Sequence, residues 1–263
     1  MQKQIIYCSC KGDIINKELA SQVTQILKKS NAPVYELSDL CGLCALNKEI
    51  VQELITKDKE TLIIACYSRG VSSLLKFAGL DIEDKNISYL NIRNNSIDTV
   101  LESLNSFTEF KIKKRQFEKI EADKDWPSWY PVLDYERCTA CGQCSDFCLF
   151  GTYEKEDGQV KVVSPQSCKN NCPACARICP DAAIIFPKYT QEGAISGNES
   201  IDEAAELQRQ RKDVEQILGN DIYKALEGRK AKRQRIIKTE AIDKALEERE
   251  KALKEQKRNN PEL

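Results

Sequence analysis

The sequence has no histidine, a single methionine and no long apolar run. Without His there is no Ser–His or Cys–His catalytic pair, no imidazole zinc ligand, no Rieske centre and no His-ligated haem. No stretch approaches the roughly 18 apolar residues of a membrane span; the densest run is Leu62-Ile63-Ile64-Ala65-Cys66-Tyr67. The first residues, Met1 to Cys8, hold too few apolar side chains for a secretory signal. An excess of one charge is missing as well. With 40 Lys plus Arg against 41 Asp plus Glu, the net charge of −1 argues against a dominant nucleic-acid or membrane-surface field, although local patches remain.

What is abundant is cysteine, 13 in 263 residues. A cytoplasmic location without membrane insertion is expected, and cytosolic thiols are kept reduced. Metal is therefore expected before disulfides, and the odd count leaves at least one Cys outside any set of pairs or quartets.

This length accommodates one large domain or two to three small ones, and the composition divides into blocks. Residues 1–107 alternate strand and helix signals. Gln4-Ile5-Ile6-Tyr7, Pro33 to Leu37, Thr61 to Cys66 and Ile87 to Ile92 read as strands. Leu19, Val23, Ile26 and Leu27, then Ile50 to Ile55, Val71 to Ala78 and Ile97 to Phe107, carry helical spacing. This alternation predicts an α/β domain, a small parallel sheet with flanking helices.

Cys8 and Cys10 end the first strand, Cys41 and Cys44 fall in the loop after the second, and Cys66 ends the third. In a parallel sheet these points share the carboxyl edge, where open α/β sheets bind ligands. Five thiols are expected to converge there on a metal centre. The competing reading is plain core cysteine. A redox dithiol at Cys41-Gly42-Leu43-Cys44 fits the C-x-x-C spacing but leaves the other three thiols unexplained.

Residues 108–131 read as a connector. Its basic run, Lys111 to Lys119, is expected as a solvated helix face, and Trp126 and Trp129 are expected to pack it onto the next module. Residues 132–190 carry the strongest signal. Cys138, Cys141, Cys144 and Cys148 form C-x2-C-x2-C-x3-C; Cys168, Cys172, Cys175 and Cys179 form C-x3-C-x2-C-x3-C-P with Pro180. In such runs three cysteines wrap one cubane and the fourth reaches the neighbouring cluster.

This segment resembles a bacterial-type dicluster ferredoxin over about 50 residues. The resemblance implies an α+β fold with two [4Fe-4S] clusters. It puts the first on Cys138, Cys141, Cys144 and Cys179, and the second on Cys148, Cys168, Cys172 and Cys175. There are departures: Leu149 rather than Pro follows Cys148, the second motif has an extra residue after Cys168, and a hairpin-like insert turns at Glu156-Asp157-Gly158. All eight ligands survive them. Zinc is the alternative, but paired C-x2-C knuckles give the third cysteine of each run no role.

Cys8-Ser9-Cys10-Lys11-Gly12-Asp13-Ile14, an isolated Cys41 and Ala65-Cys66-Tyr67-Ser68-Arg69 look like the N-terminal iron–sulfur domain of the flavin-bearing subunit of heterodisulfide reductase. That resemblance implies a third [4Fe-4S] cluster, on Cys8, Cys10, Cys41 and Cys66. Cys44 lies outside the pattern, as a spare thiol or a substitute for one of the four. The flavin-binding G-x-G-x-x-G of that family is absent, so nothing supports a flavin.

Residues 191–263 contain no Cys and read as a charged α-helical tail, with Gly219-Asn220-Asp221 as a stop and fresh cap. Its narrow apolar stripe makes no core of its own and is expected to pack on a partner or on the ferredoxin module. Arg229, Lys230, Lys232, Arg233, Arg235 and Lys238 form a run without an acid; a solvated or docking face is expected there before nucleic acid. The expected function is an iron–sulfur relay, in which single electrons pass to or from a partner, a flavoprotein or a heterodisulfide-reductase-like protein. The chain is read as a non-catalytic subunit with no catalytic residue of its own. The alternatives are a thiol/disulfide reductase acting through Cys41 and Cys44, and a scaffold with structural clusters.

Overall fold

The computed structural model describes residues 2–10, 14–109, 116–123, 125–218, 224, 226–229 and 231. The first half is built around a five-stranded parallel sheet: β1 (Gln2–Cys8), β2 (Val34–Leu37), β3 (Lys59–Ala65), β4 (Ile87–Asn91) and β5 (Phe117–Ile120), in the order β4-β3-β1-β2-β5. The chain runs outward from β1 to β2, then crosses back to β3, so the direction of winding reverses between β1 and β3.

Side chains alternate across this sheet as the pleat requires. Ile5, Tyr7, Leu62 and Ile64 face α1 (Lys17–Leu27) and α5 (Ile97–Phe107). Ile6, Cys8, Ile63 and Ala65 face α2 (Leu40–Leu46), α3 (Lys48–Leu54) and α4 (Ser68–Phe77). Both faces are covered, which explains the unbroken apolar run of β3. Local chemistry sets the helix ends. The Asn16 side chain accepts from the N–H groups of Glu18 and Leu19 at 2.9 and 3.1 Å. Gly79, at φ +82°, stops the chain just past α4.

Two expectations need correction. Cys41 and Cys44 lie on α2, not in a loop, because Leu40, Cys41, Gly42, Leu43 and Cys44 are all buried and leave the segment no polar face to read. Residues 117–119 are not a helix face. Phe117–Ile120 is β5, an edge strand parallel to β2, with Glu118 and Lys119 exposed. Lys111 to Arg115 lie outside the described residues, as do Lys11, Gly12 and Asp13.

The second half is small and loop-rich. β6 (Val132–Leu133) pairs antiparallel with β9 (Ile184–Ile185). Between them come α6 (Gln143–Phe147), the hairpin β7 (Tyr153–Glu156) and β8 (Gln159–Val162), and α7 (Ala174–Arg177). Asp157 and Gly158, at φ +50° and +74°, make the tight hairpin turn. α8 (Glu203–Leu218) lies on this module, with Asp213 paired to Arg177 at 3.3 Å and Glu203 to Arg137 at 2.9 Å. The 219–221 stop and the residues after 231 lie outside the described residues. Among the described residues no helix is long and apolar enough to cross a membrane.

Trp129 stacks on Phe186 with centroids 5.1 Å apart, as expected of a residue packing onto the second module. Trp126 instead stacks on Tyr130 at 5.5 Å and joins the core of the first domain. The halves are joined by a shared core as well: Tyr130, Val132 and Ile185 pack with Ile6, Leu40 and Leu74.

Candidate metal centres

Among the described residues, which include all 13 cysteines, no disulfide forms. Eight of the thiols line two cavities, and four more lie at the carboxyl ends of β1 and β3 and on α2.

The first group is Cys138, Cys141, Cys144 and Cys179, around a narrow cavity also lined by Leu133, Val160 and Ile184. The second is Cys148, Cys168, Cys172 and Cys175, around a cavity of about 250 Å³ lined also by Pro131, Leu149, Phe150 and Tyr153. These are the two sets implied by the ferredoxin resemblance, including the exchange of the fourth cysteines. The helices explain the exchange. Cys144 and Cys148 bracket one turn of α6, which separates them by about 6 Å along the axis and carries Cys148 to the other group. Cys175 lies on α7 and Cys179 four residues on, just past the cap residue Ile178, and the two also part between the groups.

The loops repeat as well. Ala140 before Cys141 and Asn171 before Cys172 both adopt left-handed backbone, at φ +55° and +58°. The extra residue of the second motif is thus absorbed upstream, and the turn into the second cysteine is kept. Non-glycine residues seldom sit there. Holding both loops in that conformation costs energy that the packed module must offset.

Burial pushes the Cys144 and Cys168 thiols up to about 12, with neighbouring cysteines adding to it. Burial also holds the Cys175 thiol well above the ordinary range. Such groups hold protons against the thiolate form unless positive charge replaces them, and iron supplies that charge. Donors already surround the sulfurs. The Tyr153 hydroxyl lies 3.1 Å from Cys175 Sγ, and the N–H groups of Ala183 and Asp181 donate to Cys179.

The third group lies at the carboxyl ends of β1 and β3, where the winding reverses. Cys8 ends β1, Cys10 follows it, Cys41 is on α2 and Cys66 follows β3. Cys8 is pushed well up by Cys10 and by burial, and Cys66 lies within its electrostatic reach. Cys41 is raised by burial and Asp39, and also feels Cys10 and Cys66. Cys66 itself is pushed up to about 12 by burial and Cys10. The N–H of Leu40 donates to Cys8 Sγ at 3.4 Å. Cys10 holds a left-handed φ of +42°. Cys44, three residues after Cys41 on α2, shares the buried core with Cys8 and Cys41; burial raises its thiol, and Asp39 adds to this. Among the described residues no three Cys, Asp or Glu side chains close on a single ion, in this group or in the other two.

Sequence reasoning missed the charges around the third group. Lys188, from the second module, reaches Asp39 Oδ2 at 2.6 Å, Ser128 Oγ at 2.7 Å and the Pro127 carbonyl at 2.8 Å. Asp39 immediately precedes α2 and also accepts from the Ser128 hydroxyl. Tyr130 donates to the Cys41 carbonyl at 2.7 Å. A lone Lys and a lone Asp far apart in sequence carry no local signal.

Residues 130–213 match the family described as a 4Fe-4S dicluster domain. An uncharacterized ferredoxin of Methanocaldococcus jannaschii is 44% identical over 77 residues, 29% of this chain and 52% of the relative. A second uncharacterized ferredoxin of that organism is 34% identical over 58 residues, 21% of this chain and 74% of the relative. Pyruvate synthase subunit PorD, also from that organism, is 32% identical over 59 residues, 22% of this chain and 67% of the relative. The chain thus spans about half the length of the first of these relatives. No solved structure matches. The resemblance of residues 1–107 to heterodisulfide reductase finds no counterpart among these matches. The chain belongs to the ferredoxins and carries a 4Fe-4S dicluster domain.

Proposed function

We propose that the chain relays single electrons through three [4Fe-4S] clusters to or from a partner oxidoreductase. The first cluster would be held by Cys138, Cys141, Cys144 and Cys179, the second by Cys148, Cys168, Cys172 and Cys175, and the third by Cys8, Cys10, Cys41 and Cys66. When bound, each cluster supplies one-electron iron chemistry; the chain supplies thiolates, burial and hydrogen bonds that set potentials. The observation that carries this reading is the lining of two cavities by four cysteines each, with the fourth cysteine of each run exchanged between them, beside four further thiols at the carboxyl ends of β1 and β3 and on α2.

The second group is the ferredoxin site nearer the third. Cys168 packs against the core that holds Cys8, Cys41 and Tyr130, and Pro131, next to Tyr130, lines the second cavity. The order of the relay is then third, second, first, with the exposed Cys141 at the far end. Leu149 and Phe150 are exposed beside the second cavity and suit contact with a partner. The likeness to a pyruvate synthase subunit supports a pyruvate synthase as that partner, alongside the flavoprotein and heterodisulfide-reductase-like candidates. The chain acts in the cytoplasm as one component of an oxidoreductase complex, without its own catalytic residue.

A reductase acting through Cys41 and Cys44 is less well supported, because both thiols are buried and held protonated, the reverse of an activated thiolate. Of the basic run from 229 to 238, only Arg229 and the non-basic Ala231 are described. Arg229 lies 4.2 Å over the Phe147 ring, packed against the protein.

Iron, acid-labile sulfide and zinc per chain, measured on anaerobically purified protein, test the reading. Three cubanes require about 12 iron and 12 sulfide. About 8 of each would confine the clusters to residues 132–190, and zinc in their place would remove the electron-transfer reading.

A further inference from the structure

Two buried polar atoms among the described residues lack a partner and belong to side chains flanking the third thiol group: Asp39 Oδ1 and Arg93 Nη1. Both side chains are tied to one segment of the ferredoxin module, residues 188–191. Lys188 pairs with Asp39 at 2.6 Å, with 11% and 3% of the two side chains exposed. Arg93 Nη2 donates to the carbonyls of Tyr189 and Thr190, both at 2.7 Å. Its guanidinium lies 5.0 Å over the ring of Tyr67, the residue after Cys66. Lys188 is within electrostatic reach of Cys41 and Cys66, and Arg93 of Cys66.

Ordinary domain docking accounts for the carbonyl contacts of Arg93. It does not account for a buried guanidinium nitrogen left unpaired, since an orphaned buried donor costs about 1–3 kcal/mol. A group with sulfur acceptors beside Cys66 would satisfy it. Nor does docking require a buried ammonium within electrostatic reach of Cys10, Cys41 and Cys66. That placement suits a centre whose four thiolates would otherwise stand as uncompensated negative charge.

We infer that Lys188 and Arg93 are positioning cations of the third centre, which raise its midpoint potential and make that potential depend on contact with the ferredoxin module. The inference rests on the proposed third cluster. One-electron reduction adds one negative charge to the centre, and nearby fixed cations favour that state. Asp39 opposes them. Its carboxylate is held against Lys188, so the pair is nearly neutral, and removing either member alone leaves the other charge exposed to the centre at low dielectric.

The experiment is a potentiometric titration with a low-potential mediator set, followed by electron paramagnetic resonance, on the full chain loaded with iron and sulfide. The signal of the third centre is identified by its loss in Cys10→Ser. Arg93→Gln and Lys188→Met are expected to lower its potential, each changing the reduced-to-oxidised ratio at fixed potential about tenfold, or about 59 mV for one electron. Asp39→Asn is expected to raise it. The double variant Asp39→Asn/Lys188→Met, which buries no lone charge and so survives if Lys188→Met alone does not fold, is expected near the parent value. The two ferredoxin signals stay put throughout. Three signals with about 12 iron per chain and a third potential unmoved in Arg93→Gln and Asp39→Asn would overturn this inference while leaving the third cluster in place. About 8 iron and no third signal in the parent chain would overturn both.

Discussion

Arg69, at the start of α4, donates from Nε to Asp134 Oδ2 at 2.7 Å, and the two side chains are only 11% and 12% exposed. The same guanidinium donates to the carbonyls of Ala194 and Ala182, at 3.0 and 2.6 Å. One planar fork therefore ties the α/β domain to three points of the ferredoxin module. Arg suits this better than Lys because its donors are fixed in the fork geometry. Removing one partner of a buried pair strands the other charge, at a cost of about 3–5 kcal/mol. Arg69→Met is expected to lose that much stability in anaerobic chemical denaturation. Lys57→Met, which removes an exposed pair with Asp84, is expected to leave the denaturation midpoint where it is.

Gly197 and Gly70 meet at the same seam. Gly197 holds φ +92°, and a Cβ there would lie 2.8 Å from Gly70 Cα and 2.9 Å from Gly70 N. Both are backbone atoms and neither can swing aside. A Cβ on Gly70 would meet its nearest neighbour at 3.6 Å, an ordinary contact. Gly197→Ala is therefore expected to cost about 2–4 kcal/mol, from strain and overpacking together, whereas Gly70→Ala stays within about 1 kcal/mol. Equal effects in the two variants would show that the modules do not approach this closely.

How much of this was legible beforehand depended on whether the signal was local. The strands β1 and β3 and the helix α5 announce themselves by runs or periods of apolar residues. The ferredoxin groups announce themselves by cysteine spacing. α2 is buried on every side, so it shows no helical alternation. β5 is a four-residue edge strand whose two central residues are charged, which made it resemble its basic surroundings. The contacts of Lys188 with Asp39 and of Gly197 with Gly70 span 149 and 127 residues. Pairings at that distance leave no periodic trace and are set by how two modules dock.

Cys44 offers a test of the reductase alternative. Burial holds its thiol above the ordinary range, so the folded chain binds that proton more tightly than the unfolded chain does. The resulting contribution to stability is fully present below the unfolded value of about 8.5 and declines as pH rises above it. At pH 7–8 the thiolate is not available. Iodoacetamide is expected to leave Cys44 unlabelled in the folded protein and to label it in denaturant, as read by peptide mass spectrometry. Cys44→Ala is expected to keep the iron content of the parent chain. Rapid labelling of the folded protein, or loss of about 4 iron per chain on this substitution, would return Cys44 to the working site.

The Tyr153 hydroxyl donates to Cys175 Sγ at 3.1 Å inside the second group, and both side chains are buried. A hydrogen bond to a thiolate ligand withdraws charge from the sulfur and favours the reduced, more negative state of the centre, so it raises the potential. Tyr153→Phe removes the donor and almost nothing else. The potential of the second cluster is expected to fall by about 40 mV, the equivalent of about 1 kcal/mol in a one-electron couple. Tyr135→Phe is the control: that hydroxyl donates to the Val160 carbonyl at 3.1 Å and lies near Cys138 and Cys144 of the first group, so the potential of the second cluster is expected to hold. The comparison also probes the exchange of cysteines between the two runs. Cys175 sits four residues before Cys179, which belongs with the other group. If Tyr153→Phe moved the cluster that depends on Cys138 and left the one that depends on Cys168, the assignment of Cys175 to the second group would be wrong.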